Sequence, residues 1–166
     1  MKTFKGRTAT SKDDWATPQY FFDLLDREFH FTLDPCASAE NHKCPKYYTL
    51  EQNGLEQSWK GETVFVNPPF NHKDEWIEKC WKETKDLVSK PTIVVLIIPS
   101  TTDTKAWHKY IMDAHEIRFC KGRVNFIGST SGATFPLSVI VFKNQPLSET
   151  KVSSFEHKSF EIKESK

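Results

Sequence analysis

A short apolar run that stops at two prolines, residues 64–70 (Val-Phe-Val-Asn-Pro-Pro-Phe), limits the fold more than any other stretch of the chain. An apolar, β-branched run of this length is typical of a buried strand. Pro68 and Pro69 end it, because proline has no backbone N–H to donate and fixes its own φ. The segment therefore predicts a strand whose carboxyl end carries the Asn67 amide and the Phe70 ring. Ligands bind at that end of the strands in α/β sheets.

The residue types after this strand can bind a planar base that carries an exocyclic amine. The side-chain carbonyl of Asn67 and the backbone carbonyl of Pro68 are two acceptors that can converge on one NH2 group. The Phe70 ring offers a face on which a base can stack. The alternative is a polar turn after a core strand, with Phe70 packed back into the core, since such turns occur in many proteins. The Asn-Pro-Pro sequence alone leaves both interpretations open.

The size and composition of the chain predict a single domain with one core. It has 166 residues, of which 37% are hydrophobic and 13% aromatic. The formal net charge is +1, so any contact with nucleic acid has to use a local basic patch. We expect the domain to span residues 13–146, with a basic N-terminal arm at 1–12 and a polar C-terminal tail at 147–166.

The four cysteines include no Cys-x-x-Cys pair, and the sequence shows no signal peptide or long apolar span. This combination predicts free thiols in a reducing cytoplasm. Cys36, His42 and Cys44 carry side chains that can ligate zinc, but a fourth ligand with the usual paired spacing is missing. We therefore predict that there is no metal site.

Hydrophobic periodicity predicts a first helix and a first strand. Apolar residues recur at helical spacing through residues 19–29, and Thr17 followed by Pro18 is typical of a helix N-cap and first helical position. Residues 31–33 predict a short strand that Asp34 ends. An aspartate at a strand end can accept hydrogen bonds from an ammonium group, and the alternative is an N-cap for a following helix.

The second half of the chain continues the alternation of helices and strands. Residues 74–88 predict an amphipathic helix, and the wholly apolar run 92–98 predicts a central strand buried on both faces. Residues 101–103 can cap the next helix. Residues 117–126 and 135–142 predict an antiparallel pair of strands, joined by a loop rich in glycine and serine.

These motifs, taken together, resemble one enzyme family. Asn-Pro-Pro-Phe resembles the catalytic motif of the amino-methyltransferases that methylate adenine N6 or cytosine N4 in DNA. Its neighbours resemble the short phage and prophage DNA N-6-adenine methyltransferases, often called phage Dam. The matching blocks follow the family's order and are residues 14–18, 33–37, 53–59, 67–70, 98–99 with 102–104, and 119–126.

The resemblance implies the fold and the cofactor. It implies a compact class I, Rossmann-like α/β methyltransferase with a terminal antiparallel strand pair and S-adenosylmethionine as cofactor. The region of strands 2 and 3 must be abbreviated, because too few residues separate Asp34 from Asn67 for two complete strand-helix units. The cofactor residues that the resemblance implies are Trp15, Thr17, Pro18, Asp34, Pro35, Cys36, Ala37, Asn53, Gly54, Leu55 and Asn67. Read without the family, Trp15 is a core anchor. The acidic residue for the ribose hydroxyls remains unassigned, with Glu40 and Glu51 as candidates.

The resemblance also implies the reaction. The catalytic residues that it implies are Asn67, Pro68, Pro69 and Phe70. It implies that they act on an adenine in double-stranded DNA, with GATC as the expected recognition site. Lys121 and Arg123 are implied to meet phosphate, although isolated basic residues are as often solvated charges.

Two other functions stay open. Cytosine-N4 methylation uses the same geometry, but its motif usually begins with serine, and an inactive DNA-binding or anti-restriction relative would keep the fold. The residue directly after Pro69 is Phe70 and not a nucleophilic cysteine, which speaks against cytosine C5 chemistry. We expect a protein of the bacterial host cytoplasm and leave its oligomeric state open.

Overall fold

The computed structural model describes residues 16–86, 90–127 and 135–157, and a seven-stranded mixed sheet lies at its centre. The strands are β1 (Leu33–Asp34), β2 (Lys46–Tyr47), β3 (Thr63–Val66), β4 (Ile93–Pro99), β5 (Glu116–Cys120), β6 (Leu137–Lys143) and β7 (Lys151–Phe155). The helices are α1 (Gln19–Phe29), α2 (Lys73–Glu83) and α3 (Lys105–Tyr110), with 3₁₀ turns at Phe70–His72 and Ile111–Asp113. The predicted α/β class is confirmed.

The strand order is β2-β1-β3-β4-β6-β5-β7. Strands β2, β1, β3 and β4 are parallel, β6 is antiparallel to both β4 and β5, and β7 is parallel to β5. Of the described strands, only β6 therefore runs against the others. We call the edge at which β1, β3 and β4 end the carboxyl edge, and the edge at which they begin the amino edge. The predicted antiparallel pair is confirmed by β5 and β6, where Ile117 lies opposite Ile140.

Both faces of the sheet are covered by a hydrophobic core, and successive residues of β3 and β4 therefore point alternately into the two cores. Val64 and Val66 point to the core formed with α2 and α3, whereas Phe65 points to the core formed with α1. Strands buried on both faces read as continuous apolar runs. The prediction that residues 92–98 form a buried central strand is therefore confirmed, with β4 between β3 and β6.

The helix caps differ from the predicted ones. Helix α1 occupies the predicted residues, but its N-cap position is Pro18 rather than Thr17, and no side chain caps it. Helix α3 is capped by Thr104, whose hydroxyl accepts a hydrogen bond from the Trp107 N–H, and not by residues 101–103. Both corrections have one cause: sequence pattern identifies threonines near a helix start, but backbone conformation decides which one is the cap.

Several element boundaries also shift. The first strand begins at Leu33 instead of Phe31, whose ring is buried in the core before the strand starts. Residues 35–45 form an irregular loop with bends, so no helix follows Asp34 directly and Asp34 is not a helix N-cap. Helix α2 ends at Glu83, and residues 87–88, the end of the predicted helix, lie outside the described residues. Strand β2 has only two residues, as an abbreviated region requires.

The carboxyl-terminal segment corrects the expected domain limits. Residues Lys151–Phe155, placed in a polar tail by the sequence, form β7 beside β5. His157, two residues further on, is buried against Phe21 of α1. The half-polar pattern of β7 hid it, because an edge strand leaves many of its side chains in solvent. Strand β5 is in turn shorter than predicted, because the chain turns at Gly122, which has φ +82°.

Candidate active site

The site is organised by the turn at the carboxyl end of β3. Asn67 is half-buried and Pro68 is buried, and Pro69 leads directly into the 3₁₀ turn Phe70–His72 and then into α2. Strand β3 lies between β1 and β4, so this turn occupies the middle of the carboxyl edge of the parallel strands. Two successive prolines restrict the backbone there, which limits the positions that Asn67 and the Pro68 carbonyl can take.

A side-chain hydrogen bond connects this turn to the start of α1. Asn67 Nδ2 donates to Thr17 Oγ1 over 2.9 Å, across fifty residues of sequence. Thr17 is only 2% exposed, so water does not compete for this bond. The contact brings Thr17 and Pro18, from the first block, to the block at 67–70. Trp15, the remaining predicted cofactor residue of the first block, lies outside the described residues.

Asp34 holds the loop that follows β1. Its side chain is 5% exposed and accepts hydrogen bonds from two backbone N–H groups, those of Lys43 at 2.9 Å and Cys36 at 3.3 Å. Burial raises the pKa of Asp34 even though both of these bonds favour the charged form. A buried carboxylate of this kind gains from a cationic partner more than an exposed one does.

The second predicted cofactor block packs directly on this loop. A Cβ on Gly54 would lie 2.0 Å from the carbonyl oxygen of Pro35, so no residue with a side chain fits there. The Gly54 carbonyl accepts a hydrogen bond from the buried Trp59 indole at 3.0 Å. The backbone of Tyr48 completes the arrangement, because it donates to the Asp34 carbonyl and accepts from Ala37. The predicted blocks at 34–37 and 53–55 are therefore in contact.

The other residues of these two blocks lie in the same pair of contacting loops. Asn53 has φ +50°, the left-handed conformation that asparagine tolerates better than most residues, and this reverses the chain before Gly54. Cys36 and Leu55 are partly buried against the core on the α2 side. Tyr48 was missed by the sequence reasoning, because it contributes through its backbone and a backbone contact leaves no signal in residue type.

Phe70 belongs to an aromatic cluster beside the turn. Its ring packs edge to face with Phe126, with centroids 6.0 Å apart, and with Phe135 at 5.2 Å. It is half-buried against the core on the α1 side. The structure thus contains the packing expected from the core interpretation, and the same packing fixes the orientation of the ring.

The segment after β5 reaches the same edge as the Asn67 turn. The Ile127 N–H donates to the Ala16 carbonyl over 3.0 Å, which places residues 124–127 beside the start of α1. Lys121 and Arg123 are exposed in this region. Lys121 pairs with Glu156 at 3.1 Å, whereas Arg123 forms no ion pair with the described part of the chain.

The three side chains considered for zinc have other roles. His42 Nδ1 lies 2.9 Å from the Cys44 carbonyl, and its ring stacks on Tyr47 with centroids 4.1 Å apart. Burial raises the pKa of the Cys44 thiol to about 12, which disfavours the thiolate that a metal requires. Cys36 lies two residues after Asp34 and packs against the hydrophobic core. Among the described residues, no three His, Cys, Asp or Glu side chains are grouped to hold a metal ion.

Comparison with known proteins gives the family. A mixed α/β sheet with this turn at its carboxyl edge is consistent with a methyltransferase-like protein. Residues 6–160 match the model of the family described as DNA N-6-adenine-methyltransferase (Dam). The chain belongs to that family, which confirms the resemblance seen in the sequence.

Individual relatives agree with this assignment. The chain is 29% identical over 135 residues to the DNA N-6-adenine-methyltransferase of Haemophilus phage HP1, covering 80% of this chain and 76% of the relative. It is 30% identical over 98 residues to the enzyme of the same name from Escherichia phage T1, covering 58% of this chain and 39% of that longer protein. The putative methyltransferase YfdM of Escherichia coli K12 is 38% identical over 66 residues, or 35% of this chain and 71% of YfdM. Among the described helices, none has the length and apolarity to cross a membrane.

Proposed function

We propose that this chain transfers a methyl group from S-adenosylmethionine to N6 of adenine in double-stranded DNA. The observation that carries the proposal is the Asn67 turn, with its amide bonded to Thr17 at the carboxyl edge of a parallel sheet. The family name and the names of the phage relatives support adenine as the base.

The sheet topology supports a class I methyltransferase fold. Four parallel strands are followed by β6, which runs antiparallel between β4 and β5. A reversed strand at this position closes the sheet in class I methyltransferases. The two-residue strand β2 leaves one side of the sheet shorter than that fold usually is.

The residues around Asp34 fit S-adenosylmethionine by their chemistry. The buried Asp34 carboxylate can accept hydrogen bonds from the ammonium group of the methionine moiety, and a cation there would offset the burial that raises its pKa. The small Ala37 side chain permits close approach of a ligand, and Gly54 lets its own turn pack directly on Pro35. The first turn of α1 offers N–H groups to the carboxylate. When bound, the cofactor supplies an activated methyl group on a sulfonium centre.

The Asn67 turn addresses the main chemical difficulty of the reaction. Adenine N6 is a poor nucleophile, because its lone pair is delocalised into the ring. Acceptance of the two amine hydrogens by Asn67 Oδ1 and the Pro68 carbonyl would favour a more pyramidal nitrogen. It would also stabilise the positive charge that develops during attack. The turn is held by packing and prolines, so little reorganisation is needed as the charge forms.

The base and the DNA backbone would use neighbouring groups. A target adenine has to leave the duplex to reach the turn, and Phe70, held by Phe126 and Phe135, is the stacking partner that we propose for it. Arg123, exposed and without an ion pair among the described residues, is better placed to meet phosphate than Lys121, which is bonded to Glu156. We propose GATC as the recognition site.

Mass spectrometry of nucleosides tests the proposal directly. Unmethylated duplexes with and without a single GATC site would be incubated with the protein and methyl-labelled cofactor, then digested. We expect labelled N6-methyladenine, enriched in the duplex that contains GATC. Labelled N4-methylcytosine as the sole product would overturn the base assignment. Retained DNA affinity without cofactor binding or any product would identify an inactive relative.

A further inference from the structure

The bond between Thr17 and Asn67 assigns a role to Thr17 that the family resemblance does not. A primary amide has a donor end and an acceptor end of nearly equal size, so packing alone selects weakly between its two orientations. Because Asn67 Nδ2 is bonded to Thr17 Oγ1, the carbonyl Oδ1 points away from Thr17. We propose that Thr17 is a positioning residue that keeps Asn67 Oδ1 directed at the amine of the target base.

Thr17 is itself held in place from two sides. On one side, the carbonyl of the preceding residue, Ala16, accepts a hydrogen bond from the Ile127 N–H at 3.0 Å. On the other side, Pro18 occupies the N-cap position of α1, and its carbonyl accepts from Phe21 and Phe22. These contacts hold the Thr17 backbone in place, and at 2% exposure the Thr17 side chain is shielded from water.

The same bond would strengthen during the reaction. As positive charge develops on the amine, Asn67 Oδ1 accepts its hydrogen bond more strongly, which polarises the amide and makes Nδ2–H a better donor. Hydrogen bonds in such a chain reinforce one another. Thr17 would then contribute more in the transition state than in the ground state, which is the condition for an effect on rate.

This role rests on the proposed adenine methylation and differs from direct cofactor binding. The resemblance groups Thr17 with residues that hold the methionine end of the cofactor, but its side-chain oxygen is buried and already bonded to Asn67. A cofactor ligand and a positioning residue affect different measurements. Loss of a ligand weakens cofactor affinity, whereas loss of a positioning residue slows transfer at saturating cofactor.

The decisive variants are Thr17→Val, which removes the hydroxyl and keeps the shape, and Thr17→Ser, which restores the hydroxyl. Thr92→Val is the matched control. Thr92 is also buried, and its Oγ1 accepts a hydrogen bond from the Gly61 N–H at 2.9 Å, but Thr92 lies at the amino edge, away from the Asn67 turn. Single-turnover methyl transfer would be measured on GATC-containing DNA with saturating cofactor, together with cofactor affinity by calorimetry.

We expect Thr17→Val to slow transfer roughly tenfold, the scale of one lost hydrogen bond, with cofactor affinity unchanged. Thr17→Ser should recover most of the rate, and Thr92→Val should lose thermal stability without slowing transfer. In an Asn67→Ala background, Thr17→Val should have no further effect on the rate, because it acts through Asn67. Wild-type rates for Thr17→Val, or weakened cofactor binding with normal transfer at saturation, would overturn this role. If the wild-type protein itself makes no N6-methyladenine, it is the proposed function that fails.

Discussion

The two edges of the sheet differ in what their buried polar side chains contact. At the amino edge these side chains bind the backbone of neighbouring loops: Asn144 Nδ2 donates to the carbonyls of Thr84 and Asp86, and Thr92 accepts from Gly61. At the carboxyl edge, Asp34 also accepts hydrogen bonds from loop N–H groups, but it is a buried carboxylate without an ion pair among the described residues, and Asn67 is bonded to another side chain. The described polar side chains of the amino edge thus hold loops to strands, and those of the carboxyl edge in addition offer groups suited to a ligand. Substitutions at the two edges should therefore separate stability from activity.

The largest loss of activity relative to the loss of stability is expected for Asn67→Ala at the carboxyl edge. This change removes the acceptor that we propose for the reacting amine, so transfer should fall by roughly 100-fold or more. Cofactor affinity should largely remain, and Asn67→Asp, which keeps an acceptor of similar shape, should retain more activity than the alanine variant. Single-turnover methyl transfer at saturating DNA and cofactor measures the effect. A near-wild-type rate for Asn67→Ala would show that the turn only shapes the fold.

The second effect concerns Asp34. Asp34→Ala should weaken S-adenosylmethionine binding by about 1–3 kcal/mol, the scale of a lost hydrogen bond to a charged group. The alanine change also releases the backbone N–H groups of Lys43 and Cys36, so Asp34→Asn is the necessary companion. It keeps the shape and removes the charge. If calorimetry shows full affinity for the asparagine variant, the proposed pairing with the ammonium group is wrong.

Asn144→Ala tests the amino edge. The side chain of Asn144 is buried, and its loss leaves the carbonyls of Thr84 and Asp86 without their donor. We expect the free energy of unfolding to fall by about 1–3 kcal/mol, measured by urea titration, with no change in the single-turnover rate. Slower transfer in a variant of unchanged stability would contradict the division between the two edges.

The smallest effect is a pH dependence at the amino edge. His115 Nδ1 accepts a hydrogen bond from the Lys143 N–H and Nε2 bonds the Gln145 carbonyl, an arrangement that requires the neutral ring. Burial lowers the pKa of His115, with a smaller contribution from nearby lysines. The unfolded chain therefore binds more protons, so stability is full above the unfolded pKa of about 6.5 and is lost as pH falls through the folded pKa.

Comparison with His115→Gln isolates this group, since glutamine offers an acceptor but does not titrate. Urea unfolding of both proteins at about pH 7.5 and about pH 5.5 should show a larger loss of stability in the wild type on acidification. Equal losses in the two proteins would mean that other groups account for the acid sensitivity.

The sequence predicted those elements whose signal lies in local periodicity. Strand β4 and helix α1 were predicted nearly to their ends, because an apolar run and a helical repeat both reflect burial. Strand β7 was missed, since an edge strand of half-polar residues has no such repeat. Its position depends on the exposed backbone of β5, which sequence pattern does not report.

The sequence predicted which blocks of residues belong to the site, but it did not predict the contacts between them. Asn67 and Asp34 could be proposed because each follows a predicted strand. Neither the bond from Asn67 to Thr17 nor the contact of Gly54 with Pro35 is visible in residue types, because each joins distant segments through geometry that only the folded sheet creates. The prediction that Thr17 caps α1 was wrong for the same reason, because the Thr17 hydroxyl bonds the Asn67 side chain rather than the backbone of α1.

The unequal lengths of the strands have a consequence for hydrogen exchange. The pairing of β4 with β6 is continuous from Ile93 opposite Lys143 to Pro99 opposite Leu137, whereas β1 and β2 pair over only two residues each. Amides of the long ladder should open only with global unfolding, and those around β1 should open locally and exchange sooner. The loop held by Asp34 lies in that less protected half. A ligand bound there would slow its exchange, so protection of the Asp34, Cys36 and Ala37 amides would report occupancy of the site independently of methyl transfer.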